Sequence, residues 1–243
     1  MNLNTFTKDQ IHRIYDVGRH RLSPEGLSAF LLITFLYCGF MNLIPFFADR
    51  SHETQTPWIT VIVTFFLGLW VIHGIFMLFF LSEKLAFRYQ RLHVTVVNIV
   101  LVKMTIDPYL FYLMDVKEER DSIKLMLYGL VLLMLGVVYL LWSVQRAKIN
   151  IIKGETRKEG RGIYYQGHCK LWAASAILFS VLLIIVVMVL ALTGKGNFLL
   201  LLGIVPIQLV LSFAYPEFYF LAYYKFVNPV FIYERPPQRN KKG

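Results

Sequence analysis

Two shortages exclude several classes of protein, because the chain has few charged residues and only two cysteines. Charged residues make up 16% of the 243 positions, whereas they make up about a quarter of a soluble domain. Hydrophobic residues make up 57%, and the mean hydropathy is +0.56. Cys38 and Cys169 form no CxxC motif and have no histidine at ligand spacing, so they predict neither a disulfide framework nor a metal site. A soluble enzyme, a secreted disulfide scaffold and a nucleic-acid-binding domain are therefore excluded.

The motifs of common membrane enzymes are also missing. The sequence has no Walker motif, no GxSxG, no HExxH and no acidic run suited to a diphosphate–Mg²⁺ site. Membrane enzymes usually carry such a set of residues at the end of a span. We therefore expect a protein that is not an enzyme, with no catalytic residue, no metal site and no cofactor.

What the chain has instead is a series of long apolar segments. Each is close to the length of about 20 residues that a helix needs to cross a bilayer. Ser23-Pro24 and Thr56-Pro57 are helix start signals directly before the first two segments. We predict an all-α fold, a polytopic transmembrane bundle of six helices. The predicted spans are residues 26–48, 58–81, 94–114, 124–145, 170–193 and 197–224.

The third segment is ambiguous, because it contains Asn98, Lys103 and Asp107 and could lie on the membrane surface. The distribution of basic residues decides the question. If all six segments cross, 19 of the 25 Lys and Arg lie on the cytoplasmic side and five lie outside. If the third segment did not cross, the basic stretch 146–170 would lie outside, against the positive-inside rule. We therefore predict that it crosses and that both termini are cytoplasmic.

The predicted spans divide the chain into three regions. Residues 1–25 are predicted to form a cytoplasmic, interfacial N-terminal helix, because Ile11, Ile14 and Tyr15 fall on one helical face. A helix that docks on a partner would show the same pattern, and we expect lipid contact. Residues 26–225 form the six-helix transmembrane domain, and residues 226–243 form a basic cytoplasmic tail.

Small residues recur every seven positions along the fourth span, at Gly129, Gly136 and Ser143. Such a stripe allows helix backbones to approach closely in a membrane, where hydrophobicity does not drive helices together. We predict that the stripe is a helix-packing surface inside the bundle. A seam between copies in an oligomer is the alternative.

Ionisable residues within spans need an explanation, because each costs at least ~2.5–3.5 kcal/mol at the bilayer centre. Lys103 and Asp107 are four positions apart and share a helical face, so we expect an internal ion pair in preference to an ion pathway. Glu217 follows Pro216, and no Lys or Arg lies within four positions of it in the sequence. We expect Glu217 to contact another helix or water, or to be protonated.

The other intramembrane polar candidates are His73, Asn98, Asn42 and Gln208. His73 and Asn98 lie at a depth comparable to that of Glu217, so a cluster of the three is one hypothesis. The simpler alternative for His73 is a neutral imidazole bonded to a neighbouring backbone or hydroxyl group.

Two functional hypotheses remain. The first is a non-enzymatic protein of the bacterial cytoplasmic membrane that acts by lateral contact with a membrane partner. It would be an accessory subunit of a membrane complex or an immunity-type protein that protects against a membrane-acting toxin, and its partners would be the bilayer and another membrane protein or a second copy. The alternative is a small transporter or proton- or ion-conducting protein that uses Lys103, Asp107 and Glu217. Its third and sixth spans, interrupted by proline, would frame the site as in an inverted repeat.

Overall fold

The part of the chain that the structure describes is almost entirely helical and contains no strand. The computed structural model describes residues 12–19, 22–51, 57–110, 112, 122–152 and 197–234. The helices are α1 (His12–Arg19), α2 (Pro24–Ser51), α3 (Pro57–Leu81), α4 (Glu83–Arg88), α5 (Gln90–Ile106), α6 (Ser122–Ile152) and α7 (Asn197–Val227), followed by a 3-10 turn (Pro229–Phe231). The predicted all-helical class is confirmed for these residues.

Four of the helices are long and apolar enough to cross a membrane, and they indicate an integral membrane protein. The candidate spans are Pro24–Phe47 in α2, Pro57–Leu81 in α3, Met126–Ile151 in α6 and Ile204–Val227 in α7. The predicted start signals are confirmed, since α2 begins at Pro24 and α3 at Pro57. The Gly26 amide donates to Ser23 Oγ at 3.2 Å, which caps the first turn of α2. The predicted fifth span, residues 170–193, lies outside the described residues.

The predicted third span corresponds to α5, which lies inside the bundle. It has 17 residues, of which ten are buried, and a further helical turn follows at 108–110. It is shorter than the four candidate spans. α2 packs against one side of α5 and α7 against the other. The neighbouring helices thus shield its polar side chains from lipid, which is the environment such side chains need at membrane depth.

The main packing contacts join the helices in a row, in the order α3, α2, α5, α7, α6, and α5 also contacts α3 directly. α3 is antiparallel to α2, α5 is parallel to α2, α7 is antiparallel to α5, and α6 is parallel to α7. Two contacts establish each direction: Ser28–Phe80 and Thr34–His73 for α2 and α3, and Leu27–His93 and Asn42–Asp107 for α2 and α5. For α5 and α7 they are Gln90–Lys225 and Tyr109–Gln208, and for α6 and α7 they are Gly136–Gln208 and Ser143–Ser212.

Two elements at one end of the bundle, measured along the helix axes, were not predicted from the sequence. α4 is a short helix in the connection between α3 and α5, and Ser82 and Tyr89 separate it from its neighbours. The segment after α7 folds into the 3-10 turn, where Asn228 Oδ1 accepts from the Val230 amide at 3.1 Å. This turn follows α7 directly, within the first residues of the predicted tail.

Candidate intramembrane polar site

Polar side chains of the interior are concentrated on two sides of α5. Gln90 and Asn98 contact α7, whereas Asp107 contacts α2 and the His93 ring stacks on Phe80 of α3. A helix with polar groups on two sides cannot place either side against lipid without a large desolvation cost. The position of α5 between α2 and α7 follows from this distribution.

Lys103 and Asp107 form a buried ion pair at the end of α5. The Lys103 ammonium donates to both carboxylate oxygens, at 2.8 Å to Oδ1 and 2.7 Å to Oδ2. Asp107 is fully buried, and Lys103 is 7% exposed. The spacing of four residues places both side chains on one face, as the sequence predicted. The two opposite charges lie within hydrogen-bonding distance, which offsets part of the cost of removing them from water.

Asn42 of α2 joins this ion pair, which the sequence did not indicate. Its Nδ2 donates to Asp107 Oδ2 at 3.2 Å, and the Cys38 thiol one turn earlier also contacts the carboxylate. The Phe66 ring of α3 lies 5.7 Å from the Lys103 ammonium. The carboxylate therefore accepts hydrogen bonds from α5 and α2, and the ion pair ties these two helices together.

Three buried polar atoms on α2 and α3 have no hydrogen-bond partner among the described residues. They are Tyr37 Oη, Asn42 Oδ1 and His73 Nδ1. Asn42 belongs to the ion-pair site, and Tyr37 lies close enough to Asp107 for an electrostatic interaction. Buried polar atoms of this kind often contact an ordered water.

His73 forms a hydrogen bond with α2 through Nε2, the ring nitrogen that is not among these unpartnered atoms. His73 Nε2 lies 3.5 Å from Thr34 Oγ1, and the Phe35 ring packs edge-on against the imidazole. This is the simpler arrangement of the two considered from the sequence, a histidine next to a hydroxyl group.

Asn98 bridges α5 to α7. Its Nδ2 donates to Val94 O at 2.8 Å and to Phe218 O at 3.2 Å. The structure thus brings Asn98 to the backbone next to Glu217, which is half-buried and has a polar contact of its own. The contact of His73 is to Thr34 on α2, whereas that of Asn98 is to Phe218 on α7, so the structure gives these two members of the hypothetical cluster different neighbours.

The sixth predicted span is not interrupted, contrary to the expectation for a broken helix. α7 is helical from Asn197 to Val227, through both Pro206 and Pro216. Proline is tolerated within transmembrane helices when neighbouring helices and local adjustments satisfy the freed carbonyls. The third predicted span is interrupted near its proline. α5 ends at Ile106, and a short helical turn begins at Pro108.

The small residues of α6 pack inside the bundle. A Cβ atom at Gly129 would collide with the Tyr112 ring, and one at Gly136 would collide with the Gln208 side chain of α7. Ser143 Oγ donates to Ser212 O at 2.8 Å. The stripe is therefore a packing surface within one chain, which is the first of the two interpretations given above.

Gln208 connects three helical segments at this surface. Its Oε1 accepts from Tyr109 Oη at 2.7 Å, and its Nε2 donates to Leu133 O at 3.4 Å. Because the glycine at position 136 leaves room for the amide, α6 and α7 can approach closely around a polar side chain.

A second polar site, which we call the terminal clasp, lies at the opposite end of α5 and consists of Gln90, Lys225 and Tyr233. Sequence reasoning did not identify any of the three. Lys225 is fully buried, and its ammonium donates to Gln90 Oε1 at 2.6 Å and lies 4.4 Å from the centre of the Tyr233 ring. Gln90 Nε2 donates to Tyr233 O at 2.6 Å, and the Tyr233 amide donates back to Gln90 Oε1 at 3.2 Å. The clasp thus fastens the segment after α7 to the start of α5.

The N-terminal helix α1 packs on the terminal clasp. Ile14 is buried in the protein core, and the Tyr15 ring contacts the rings of Phe231 and Tyr233. A Cβ atom at Gly18 would collide with the Tyr233 hydroxyl. Ile14 and Tyr15, which the sequence assigned to a lipid-facing surface, therefore contact the chain itself, and the segment after α7 covers Tyr15.

Burial raises the pKa of the Tyr233 hydroxyl above its ordinary value. The neutral hydroxyl donates to Tyr15 O at 3.3 Å. This bond connects the two ends of the described chain.

Comparison of the chain with protein-family models, curated proteins and solved structures finds no match. Within the described ranges, no three His, Cys, Asp or Glu side chains are grouped as metal ligands would be.

Proposed function

We propose that the protein is an integral membrane protein that acts by lateral contact with a membrane partner, as an accessory subunit or as an immunity-type protective protein. The observation that supports this function is the outer face of α3. The helix is at the edge of the row and packs on α2 through its other side. Its outer residues are exposed and follow alternating steps of three and four along the helix: Trp58, Val61, Phe65, Gly68, Ile72, Ile75 and Phe79.

Steps of three and four are the pattern with which one helix packs along another. Exposed apolar side chains alone indicate only lipid contact, since lipid tails are as apolar as the side chains. Gly68 adds information, because it lies in the middle of this face and a Cβ atom there would meet nothing within 4 Å. A small residue within a heptad stripe lets a second helix approach closely, so van der Waals packing would favour a protein partner over lipid.

The proposed topology is six spans with both termini in the cytoplasm of a bacterial cell. Contact between α1 and the segment after α7 supports the placement of both ends on one side. The parallel packing of α6 and α7 supports a further crossing between them. The end of α6 at Ile152 and the start of α7 at Asn197 lie at opposite ends of the bundle along the helix axes. Cysteine labelling of intact cells should reach residues 115–121 and 194–196 and should not reach a cysteine at Gly160. Labelling at Gly160 would contradict this topology.

The test of lateral contact compares Gly68→Leu with Ala29→Leu, a matched change at an exposed position of α2. In producing cells, a photo-crosslinking residue on the outer face of α3 should form one discrete adduct. Gly68→Leu should reduce the amount of adduct. It should also reduce the activity of the membrane complex, or the protection of the cell, that depends on this protein. Ala29→Leu should leave both unchanged. A doubled mass would identify a second copy as the partner. Equal effects of the two changes, or no adduct, would contradict the proposal.

A transporter or proton-conducting function is the second candidate, and the buried polar atoms next to the ion pair favour it. Tyr37 Oη, Asn42 Oδ1 and His73 Nδ1 have no hydrogen-bond partner among the described residues, which suits a bound water or a passing proton. The test is proton or substrate flux in liposomes with a pH-sensitive dye. Flux that is absent, or that is unchanged in both Asp107→Asn and Glu217→Gln, would eliminate this candidate.

A further inference from the structure

A group of exposed basic side chains lies on α4 and the first turn of α5. Lys84, Arg88 and Arg91 are all exposed, and they lie at the same end of the bundle, along the helix axes, as the terminal clasp. Glu83 is the acidic residue of α4; it is half-buried and has a contact of its own. The exposed charge of this surface is therefore positive.

The two arginines are held against aromatic rings. Arg88 Cζ lies 5.4 Å from the centre of the Tyr89 ring, and Arg91 Cζ lies 5.8 Å from the centre of the Phe226 ring. Arg91 Nε also donates to Lys225 O at 3.0 Å, a bond that uses one of the five N–H donors of a guanidinium. Stacking and this bond limit the rotation of the guanidinium groups, so that less conformational entropy is lost when they bind an anion.

Apolar side chains border the basic group on its membrane side. Leu81 is 51% exposed, Leu92 is 44% exposed and Phe226 is 54% exposed. Cations next to exposed aliphatic and aromatic side chains are typical of the boundary between headgroups and acyl chains. A soluble anion would make use of the cations and would leave the apolar side chains without a partner. A phospholipid matches both parts of the surface.

We propose that this surface, defined by Lys84, Arg88 and Arg91 with the rings of Tyr89 and Phe226, binds the headgroup of an anionic phospholipid in the leaflet on the side of the terminal clasp. The headgroup phosphate accepts hydrogen bonds from the two guanidinium groups, which match the geometry of phosphate oxygens. The Lys84 ammonium contributes a third positive charge. The acyl chains lie along Leu92 and Phe226. This inference does not depend on the proposed membrane partner.

The experiment uses the full chain in nanodiscs of phosphatidylcholine with graded amounts of phosphatidylglycerol. Native mass spectrometry measures the phosphatidylglycerol that remains bound. Lys84→Gln/Arg88→Gln removes two charges from the surface and keeps the Arg91 bond to Lys225. Arg146→Gln/Lys148→Gln is the matched control, because Arg146 is also stacked on an aromatic ring, at 5.5 Å from the centre of the Trp142 ring.

Each basic residue that contacts the bound headgroup contributes about 1 kcal/mol, so the first double variant should bind phosphatidylglycerol roughly thirtyfold more weakly. The residues changed in the control double variant lie outside the headgroup site, so the control should bind phosphatidylglycerol like the wild type. If the first double variant does not fold in pure phosphatidylcholine, Lys84→Gln alone should still weaken binding about fivefold. Equal loss in both double variants, or loss in neither, would overturn the proposal. Displacement of the lipid by an equal concentration of inorganic phosphate would also overturn it.

Discussion

The buried ion pair leads to a prediction about stability that does not follow from counting favourable contacts. Lys103 and Asp107 lie 2.7 Å apart, and both side chains are shielded from water. Removal of one partner leaves an isolated charge in a medium of low polarity, which costs about 3–5 kcal/mol. We therefore expect Asp107→Asn and Lys103→Met each to lower the free energy of unfolding by about that amount.

The double variant Lys103→Met/Asp107→Asn should be close to the wild type, because neither charge remains. Replacement of a buried ion pair by neutral groups of similar volume is often neutral or stabilising. The coupling energy from the double-mutant cycle should then equal the sum of the two single losses, at least about 6 kcal/mol. Asn42 can still donate to the amide oxygen of the Asp107→Asn side chain, so the contact between α2 and α5 remains.

The assay is unfolding by sodium dodecyl sulfate in mixed micelles, followed by circular dichroism. Lys84→Met is the control, since Lys84 is exposed and its loss should change stability by less than about 0.5 kcal/mol. A double variant that is destabilised by the sum of the two single changes would refute this reasoning. The same variant also separates the two candidate functions. A protein that acts by lateral contact should keep its activity in the double variant, whereas a proton-conducting protein should lose it.

Three further predictions concern the packing surfaces. Gly136→Leu should destabilise the protein by about 1–3 kcal/mol, because the new side chain overlaps Gln208, whereas Gly68→Leu should have little effect on unfolding. Gly18→Leu should release α1 from the terminal clasp, seen as faster proteolysis near the N-terminus, and unchanged proteolysis would contradict the contact with Tyr233. Because burial raises the pKa of Tyr233 above 10.0, the unfolded state loses this proton first. The contribution of Tyr233 should therefore be complete below pH 10.0 and decline as the pH rises above it, a decline that is absent in Tyr233→Phe.

Features encoded by local spacing could be predicted from the sequence. The starts of α2 and α3 follow from proline at the first helical position, and the Lys103–Asp107 pair follows from a separation of four residues. The glycine and serine stripe of α6 follows from a spacing of seven. In each case, the geometry of one helix decides which side chains share a face, so no knowledge of the neighbouring helix is needed.

Contacts between distant segments could not be predicted in this way. Gln90 and Lys225 are 135 positions apart, and no pattern within either segment indicates the other. The basic residues at and after the end of α7 suggested only an orientation signal, because charge near a membrane serves as such a signal wherever it occurs. Lys225 is the exception within that signal, since it is fully buried. Its aliphatic stem and the ring of Tyr233 make burial tolerable, and only the folded chain shows that the two are adjacent.

The same limitation explains why the most ambiguous predicted span turned out to be enclosed by its neighbours. Hydropathy measures how well a helix suits lipid, and by that measure the segment with Asn98, Lys103 and Asp107 is a poor candidate. A helix in the interior of a bundle contacts protein on several sides, where polar groups find partners such as Asn42. If α5 crosses the membrane as the proposed topology has it, its low hydropathy is explained by this interior position. For α5, the residues that weakened its prediction as a span are the ones that connect it to α2 and α7.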